Sequence, residues 1–320
     1  MYSFDFISSY ENIISALKKG LGFLSSLQTN SGEFLSTRCI KSRIWQKEYV
    51  RDVFANAVIL NSMKAVRIVL GDEITLSNMI NRLICFIHSQ SEDGFFRFFG
   101  KGSNIHFDLD TTSCCLSALR RFGVNFDYYD VACHILRYKR KDGSFFTWIE
   151  DRGAPYLKRI NDIDWCVNAN ILFFFSLFGV RLPDTERFIS KIIDSGLFKI
   201  RSLYYETPLA FVYFLSRVYF ELKISPHKSL IKYLQEVNWN NPLDCALILS
   251  SSVLLGVKNN FHQMISFLLE TQNKQQGWDS FDFFTEGLYS LFRVSYGSEA
   301  LTTALVLESL SLFLSFKRYH

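Results

Sequence analysis

Residues 164–175 read DWCVNANILFFF, and residues 52–63 carry the related sequence DVFANAVILNSM. Each stretch opens on an aspartate and continues with apolar residues on nearly every side of a helix. Helices that are apolar all round lie buried in the core of a protein. An aspartate at the start of a helix accepts hydrogen bonds from free backbone N–H groups and complements the helix dipole. We therefore predict buried helices that begin at Asp52 and Asp164.

The same pattern recurs along the chain, which indicates an internal repeat. Openings of this type stand at Asp110 and Asp244, and weaker copies stand at Glu206 and Glu299. Successive openings lie 38 to 58 residues apart, which is enough for two helices and two loops each. Between them lie stretches with apolar residues at i, i+3, i+4 and i+7 and charges opposite, as solvent-facing helices have. These stretches are residues 10–27, 75–89, 126–138, 184–197, 227–237 and 260–271.

Six buried helices that alternate with six amphipathic helices predict an all-α (α/α)6 barrel, a toroid with an inner ring inside an outer ring. The inner helices then begin at one rim, so their first residues surround a central cavity. No linker and no change of composition divides the chain, and we expect residues 1–320 to form a single domain. With 48% apolar and 21% charged residues, the chain has a globular composition, which excludes disorder.

Several classes of protein are excluded or disfavoured by composition and motifs. The net charge of +4 gives no basic face for nucleic acid. Seven cysteines without a CxxC pair form neither a disulfide framework nor a zinc site, and free thiols are typical of a reducing cytoplasm. We see no signal peptide, and the apolar runs fall short of the ~20 residues that span a membrane. Nucleotide-binding P-loops, GxGxxG, HExxH and GxSxG motifs are also missing from the sequence.

The stretch HFDLDTT, residues 106–112, holds the polar cluster that points most clearly to chemistry. Asp110 fits a helix opening, where a capping role alone would explain it. Asp108 is an additional acid that a cap does not require. A carboxyl group in a dry cavity keeps its proton because burial disfavours the charged form. Such a group serves as a general acid if hydrogen bonds await its carboxylate after proton transfer. The side chains that we expect to supply those bonds are Thr111, Thr112 and His106.

A second repeated element follows the amphipathic helices and joins a glycine turn to an aromatic residue. It occurs at residues 28–34, 90–95, 141–145 and 275–278. These elements resemble degenerate QW-type repeats of the terpene cyclase and prenyltransferase superfamily. The tail YGSEALTTALVLESL, residues 296–310, resembles the terminal repeat of that family. The resemblance covers most of the chain and implies the same toroidal fold.

The segment Asp108-Leu-Asp110-Thr-Thr112 resembles the DxDTT variant of the DxDD box, which is found in drimane-type class II sesquiterpene cyclases. The resemblance implies that Asp110 protonates a terminal isoprene double bond and that Asp108 assists. It implies a linear isoprenoid diphosphate as substrate, with farnesyl diphosphate favoured, and a drimane-type product. Because no DDxxD or NSE box and no fused phosphatase domain is seen, we expect the product to keep its diphosphate.

Carbocations formed in such a reaction need stabilisation without a nucleophile. Aromatic faces provide it, at about 2 kcal/mol or more each when desolvated. The candidates near inner-helix starts are Phe54, Trp148, Trp165, Phe173, Trp278, Phe283 and Phe284.

Two asparagines lie one turn inside the predicted buried helices. Asn56 and Asn168 stand four residues after Asp52 and Asp164, on the same helix face. An asparagine inside an apolar helix needs a polar partner. Each asparagine therefore either bonds a neighbouring helix or lines the cavity together with Asp164.

A diphosphate needs cations, and arginine binds phosphate with two parallel hydrogen bonds. Arg51 precedes an inner helix and is the first candidate, because a helix N-terminus adds its dipole. The alternative for every such residue is solvated surface charge. The resemblance allows Mg²⁺ bound to the diphosphate, and it implies neither a protein metal site nor an organic cofactor. The further basic candidates are Arg38, Lys41, Arg43, Lys47, Arg152, Lys158, Arg159 and Arg293.

Two other functions stay open at this point. An (α/α)6 carbohydrate-active enzyme would cleave a glycosidic bond with two carboxylates at the rim. Its aromatic residues are usually Trp and Tyr that stack on sugars, whereas Phe dominates here. A non-catalytic toroid that binds a lipid or a protein is the third hypothesis, since fold does not fix function. The acids available to a glycosidase are Asp52, Asp110, Asp164, Glu206 and Glu299.

Overall fold

Six inner helices form a closed ring in the computed structural model, which describes residues 3–40, 47–149, 161–286 and 294–319. Each inner helix packs against the next one along the chain, and the last packs against the first. They are buried on nearly every side, as the apolar sequences predict. The inner helices are α2 (Val53–Leu70), α4 (Leu109–Arg121), α6 (Trp165–Ser176), α8 (Leu209–Leu222), α10 (Pro242–Leu254) and α12 (Glu299–Tyr319).

The outer helices alternate with the inner ones and bury a single face. In α7, for example, the buried side chains are Thr185, Ile189 and Ile193, which repeat every four residues. Together the two sets confirm the predicted (α/α)6 toroid. The outer helices are α1 (Ser3–Leu27), α3 (Ile74–Ser89), α5 (Tyr128–Ile135), α7 (Pro183–Asp194), α9 (Lys228–Glu236) and α11 (Phe261–Glu270).

Aspartates cap two inner helices as predicted, but the third opening needs correction. Asp52 Oδ1 accepts from the Ala55 N–H at 2.8 Å, and Asp164 Oδ1 accepts from the Cys166 N–H at 2.6 Å. Helix α4 begins before the predicted position, and its N-cap is Asp108 rather than Asp110. Asp110 therefore lies in the first turn, where its carboxyl group is free of the capping role.

Two of the other openings are shifted, whereas α12 begins at Glu299 as predicted. Helix α8 begins after Pro208 rather than at Glu206. Helix α10 is capped by Asn241, whose Oδ1 accepts from the Asp244 N–H at 2.9 Å, and a proline at its first position lacks only an N–H that would have no partner there. Ser298 Oγ accepts an N–H at the start of α12.

The two asparagines inside the inner helices bind the repeated glycine–aromatic turns. Asn56 Oδ1 accepts from the Phe34 N–H and its Nδ2 donates to the Phe34 carbonyl, both at 2.8 Å. Asn168 binds the Phe145 N–H at 2.7 Å and the Phe145 carbonyl at 3.2 Å. Neither asparagine performs a role left open by the sequence, because each binds a turn instead of a neighbouring helix or the cavity.

Thr112 and Trp278 take part in the same kind of contact. The Phe96 N–H donates to Thr112 Oγ1 at 3.2 Å, and the Trp278 N–H donates to Thr303 Oγ1 at 3.0 Å. The Trp278 indole is fully buried and donates to the Leu268 carbonyl at 2.9 Å. Each turn thus bonds to an inner helix through its backbone.

Glycine is required in these turns by backbone geometry. Gly32 and Gly143 have φ values of +97° and +89°, which favour glycine. A Cβ at Gly32 would lie 2.5 Å from the Arg82 carbonyl oxygen, and one at Gly143 would lie 2.3 Å from that of Asp184. The turns therefore pack directly on the backbone of the outer helices.

A four-stranded antiparallel sheet joins the two ends of the repeat, and the sequence analysis did not predict it. Its strands are β1 (Leu35–Ile40), β2 (Lys47–Arg51), β3 (Asp282–Thr285) and β4 (Val294–Gly297), in the order β2-β1-β4-β3. Strand β4 is buried at all four positions, so it shows no apolar–polar alternation that would reveal a strand. The pairing of β1 with β4 closes the chain around the toroid.

Among the described residues, two helices are long and apolar enough to cross a membrane by length and composition. They are Val53–Leu70 and Glu299–Phe316, of which 72% and 78% are buried inside the protein. Burial of this extent is typical of core helices, and both belong to the inner ring.

A buried ion pair and its hydrogen-bond partners join three inner helices, α2, α8 and α12. Arg217 Nη2 lies 3.4 Å from both carboxylate oxygens of Glu308, and the two side chains are only 5% and 4% exposed. The Tyr213 hydroxyl donates to the same carboxylate, and the Ser62 hydroxyl donates at 3.1 Å. Every charge in this network therefore has a partner.

We expect Arg217→Met to lower the free energy of unfolding by about 3–5 kcal/mol, because it leaves the Glu308 carboxylate buried without its counter-charge. Urea unfolding measures this loss. Arg67→Met is the control, since the Arg67–Asp72 pair is largely exposed and contributes about 1 kcal/mol or less. Equal losses in the two variants would contradict the role given to the buried pair.

Candidate active site

A cavity of about 420 Å³ opens at the rim where the inner helices begin. This volume falls within the ~300–1,000 Å³ of typical small-molecule pockets. The sheet forms one wall of the cavity, and loops that precede inner helices form the others. Aromatic side chains supply most of the surface, and the main ones are Phe54, Phe98, Phe99, Trp148, Phe284 and Tyr296.

Asp110 lines this cavity and is only 8% exposed. Asn170 Nδ2 donates to its Oδ1 at 2.7 Å, and the Tyr205 hydroxyl donates to its Oδ2 at 2.5 Å. Burial raises the pKa of Asp110 to about 8, although these two hydrogen bonds oppose the shift. The neighbouring Asp108 and Asp164 raise the pKa further by repulsion. The carboxyl group is therefore mostly protonated at neutral pH.

The two partners of Asp110 were missed by the sequence analysis. Asn170 stands two residues after Asn168 on α6, and the need of a buried asparagine for a partner applied to both. Because α6 is apolar on all sides, the sequence does not show which asparagine faces the cavity. Tyr205 comes from a loop 95 residues away along the chain, where no local signal links it to Asp110.

Asp108 combines a structural role with a place on the cavity wall. Its Oδ1 accepts from the Thr111 N–H at 2.6 Å, which caps α4. Burial raises the pKa of Asp108 to about 7, and the hydrogen bond from the Thr111 N–H opposes that shift. Thr111 and His106 also line the cavity, and the His106 ring meets Trp148 edge-on at 6.4 Å. The expected hydrogen bond from Thr112 to the acid is replaced by its bond to Phe96.

The aromatic candidates divide between cavity and core. Phe54 and Phe284 lie on the cavity wall and pack edge to face at 5.3 Å. Trp165 packs against the core, and Trp278 lies buried against the outer layer, so neither belongs to the cavity wall and the prediction for both needs correction. Phe283 is a core residue, and Phe173 packs beneath the Arg217 guanidinium at 5.6 Å.

Three predicted rim residues bond to other parts of the protein and do not line the cavity. Asn56 and Asn168 bind backbone turns, as described above. Asp164 is fully buried, and its Oδ2 accepts from the N–H groups of Leu203 and Tyr204 at 2.8 and 3.2 Å. It therefore positions the loop that carries Tyr204 and Tyr205.

Arg51 also lies away from the cavity. Its Nη2 is 3.1 Å from Glu33 Oε1, and its side chain is about half exposed. The predicted contact between Arg51 and a diphosphate in this cavity therefore needs correction.

The cavity wall also carries the Glu286 carboxylate, which has two hydrogen-bond partners. Glu286 accepts from Arg38 Nη2 at 3.2 Å and from the Tyr296 hydroxyl. No lysine or arginine lines the cavity within the described part of the chain. The remaining basic candidates have side chains outside the described residues: Lys41, Arg43, Lys47, Arg152, Lys158, Arg159 and Arg293. Within the described ranges, no three His, Cys, Asp or Glu side chains come together as metal ligands.

Solved structures share this architecture. A variant of type II terpene cyclase MstE from Scytonema, in complex with its substrate geranylgeranyl dihydroxybenzoate, matches with a TM-score of 0.72 and 13% identity, over 97% of this chain and 99% of that one. The ent-copalyl diphosphate synthase from Streptomyces platensis matches with a TM-score of 0.54 and 16% identity, over 81% of this chain and 50% of that one.

An enzyme of different chemistry has a related fold. An unsaturated glucuronyl hydrolase specific for heparin matches with a TM-score of 0.57 and 11% identity, over 96% of this chain and 98% of that one. No protein-family model and no curated protein matches the sequence. The chain thus has a terpene cyclase-like toroid.

The raised pKa of Asp110 makes a prediction about stability. An unfolded aspartate ionises near pH ~3.9, whereas folded Asp110 ionises at about 8. Between these values the folded state holds one more proton than the unfolded state, so this group destabilises the fold as the pH rises. We therefore expect Asp110→Asn to gain stability relative to the wild type between pH 4 and 8.

Urea unfolding across this pH range measures the difference. Asp142→Asn is the control, because the Ser144 hydroxyl lowers the pKa of the mostly exposed Asp142 and the trend with pH has the opposite sign. A difference between Asp110→Asn and wild type that stays constant with pH would show that Asp110 ionises normally.

Proposed function

We propose that the protein is a class II terpene cyclase, which starts the cyclisation of a linear isoprenoid by protonating its terminal double bond. The proposal depends on one observation: the Asp110 carboxyl group is buried, is mostly protonated at neutral pH and faces an aromatic cavity. Protonation of an alkene needs an acid held neutral in a dry site. The described residues of the cavity provide that setting.

The proton transfer follows from the contacts of Asp110. Its O–H bond breaks as the double-bond electrons form a new C–H bond, which leaves a tertiary carbocation and a carboxylate. Asn170 and Tyr205 already donate to the two carboxylate oxygens, so the developing charge meets donors in place. Hydrogen bonds to a charged group contribute about 1.5–3 kcal/mol each. Asp108 assists by holding the helix turn that carries the acid.

Cyclisation moves the positive charge along the chain, and the aromatic wall stabilises it. Phe54, Phe98 and Phe284 form a continuous cluster, with ring separations of 5.3 and 5.9 Å to Phe284. Faces of this kind contribute about 2 kcal/mol or more to a desolvated cation. They also offer no nucleophile to end the reaction early.

The favoured substrate is farnesyl diphosphate, and the product is a drimane-type diphosphate. A cavity of about 420 Å³ suits one prenyl chain. The diphosphate is retained because bond formation begins at the opposite end of the chain. The basic candidates Arg152, Lys158 and Arg293 lie outside the described residues, and we propose them as cations for the head group on the sequence alone. Mg²⁺ would arrive with the diphosphate, and no organic cofactor takes part.

Hydrolysis of glycosides has less support. A glycosidase needs two carboxyl groups that face the substrate. Asp52 and Asp164 are fully buried and bound to backbone N–H groups, so neither is available. Asp108, Asp110 and Glu286 do line the cavity, but its surface is mostly apolar and does not suit a sugar. The likeness to the glucuronyl hydrolase concerns the fold.

Seven free thiols fit a reducing compartment, and we propose that the enzyme acts in the cytoplasm.

Product analysis tests the proposal directly. Purified protein is incubated with C10, C15 and C20 isoprenoid diphosphates and Mg²⁺, and the products are dephosphorylated and identified by mass spectrometry. We expect a bicyclic product from the C15 substrate and none from Asp110→Asn, which keeps the shape of the site but has no acidic proton. Asp142→Asn, far less buried, is the control. Full cyclisation by Asp110→Asn would refute the role of Asp110.

The Tyr205 hydroxyl should matter for rate and for pH dependence. Tyr205→Phe removes a hydrogen bond of about 1.5–3 kcal/mol from the carboxylate form, so we expect kcat to fall about 10- to 100-fold. Activity needs protonated Asp110 and therefore declines as the pH rises through about 8. Loss of the bond raises the pKa of Asp110 further and shifts this decline to higher pH.

A pH–rate profile of each variant checks both effects. Tyr213→Phe removes another buried hydroxyl, one that serves Glu308 instead, and should leave the alkaline limit in place. An unchanged rate and an unchanged alkaline limit in Tyr205→Phe would contradict the role given to the hydrogen bond between Tyr205 and Asp110.

A further inference from the structure

A second pair of a tyrosine and an aspartate lies at the same cavity, apart from Asp110. Tyr204 is part of the cavity wall, and its hydroxyl donates to Asp162 Oδ2 at 2.5 Å. The Trp148 indole N–H donates to the Tyr204 oxygen at 3.1 Å. Within the described ranges, Asp162 Oδ1 is buried without a hydrogen-bond partner. A neutral hydroxyl thus connects the cavity to a carboxylate behind it.

The position of Tyr204 differs from that of its neighbour in the chain. Tyr205 is 1% exposed and contacts the acid, whereas Tyr204 is only partly buried and contacts the partly buried Trp148. The loop is fixed on two sides, by Asp164 Oδ2 and by a backbone bond from Thr285 to the Tyr204 carbonyl. Tyr204 is therefore the more exposed of the two wall tyrosines, and its hydroxyl is bonded to Asp162 rather than to Asp110.

We propose that Tyr204, backed by Asp162, is the base that ends the reaction by removing a proton from the final carbocation. This assignment rests on the proposed cyclase function and names a residue for its last step. Charge begins at the tail of the chain near Asp110 and moves toward the head group as rings close. The proton leaves from a carbon close to the last cationic centre, so the base has to face the cavity without contacting Asp110, as Tyr204 does.

The step balances through a two-proton relay. A C–H bond next to the cationic carbon breaks, and its electrons form the new double bond. The released proton bonds to the Tyr204 oxygen as the hydroxyl proton of Tyr204 passes to Asp162 Oδ2. Asp162 later returns a proton to solvent, and Asp110 takes one up before the next cycle. Burial and the adjacent Asp162 raise the pKa of Tyr204, so the phenol stays neutral until the relay moves its proton.

The other hydroxyl–carboxylate pair on the wall is less suited to this task. The Tyr296 hydroxyl donates to Glu286, but its oxygen accepts from the charged Arg38 guanidinium at 3.2 Å. Because Arg38 is positively charged, it disfavours the binding of a further proton to the Tyr296 oxygen. The Tyr204 oxygen accepts from a neutral indole instead.

Two variants test the relay through the identity of the product. Tyr204→Phe removes the accepting oxygen, and Asp162→Asn keeps the shape but removes the proton acceptor. General bases typically contribute about 10²- to 10⁴-fold, so slower deprotonation leaves time for competing exits. We expect both variants to consume substrate in an Asp110-dependent way while the wild-type alkene falls at least ~tenfold as a share of product. Other double-bond isomers and water-captured alcohols should replace it.

Tyr213→Phe is the matched comparison, because it removes a buried tyrosine hydroxyl that donates to Glu308 away from the cavity wall and should leave the position of the double bond unchanged. Thermal unfolding of each variant confirms that the fold is retained. If the wild type cyclises its substrate and either Tyr204→Phe or Asp162→Asn gives the wild-type product, the relay is wrong and the role of Asp110 stands. If the wild type cyclises no isoprenoid, the proposed function fails and this assignment fails with it.

Discussion

The contact between the Asp110 carboxyl group and its two donors, Asn170 and Tyr205, is the interaction on which the site depends. Burial keeps the proton on the acid, and the donors keep the acid strong enough to give that proton away. Burial alone would produce an inert carboxylic acid, and the donors alone would ionise it. The inner ring brings the three side chains together from α4, α6 and the loop before α8.

The frame of the site is built from one repeated contact. Inner helices present a polar side chain to the backbone of a glycine–aromatic turn, and Asn56, Thr112, Asn168 and Thr303 all do so. These bonds satisfy polar groups that an apolar interior would otherwise leave unpaired, which is why polar side chains recur in such apolar helices. The same contacts fix where each inner helix begins, and so where the cavity wall lies.

The sequence predicted the toroid well because helix periodicity and turn chemistry are local. It identified the DxDTT segment, but not that Asp108 caps α4 and leaves Asp110 free, since both aspartates suit a helix start. Phe54 and Phe284 lie in the cavity as predicted, whereas Trp278 lies in the core. Tyr205 and the sheet could not be foreseen, because they depend on contacts between distant segments and on strands too short to show alternation.

The protonation state of Asp110 is the quantity that decides the account. A ¹³C NMR titration of the aspartate carboxyl carbons, with Asp110→Asn to assign the signal, measures it in the free protein. The account predicts a carboxyl resonance that titrates at about pH 8 and is missing from the variant. A resonance for Asp110 that titrates near pH ~4, as in an unperturbed aspartate, would contradict it.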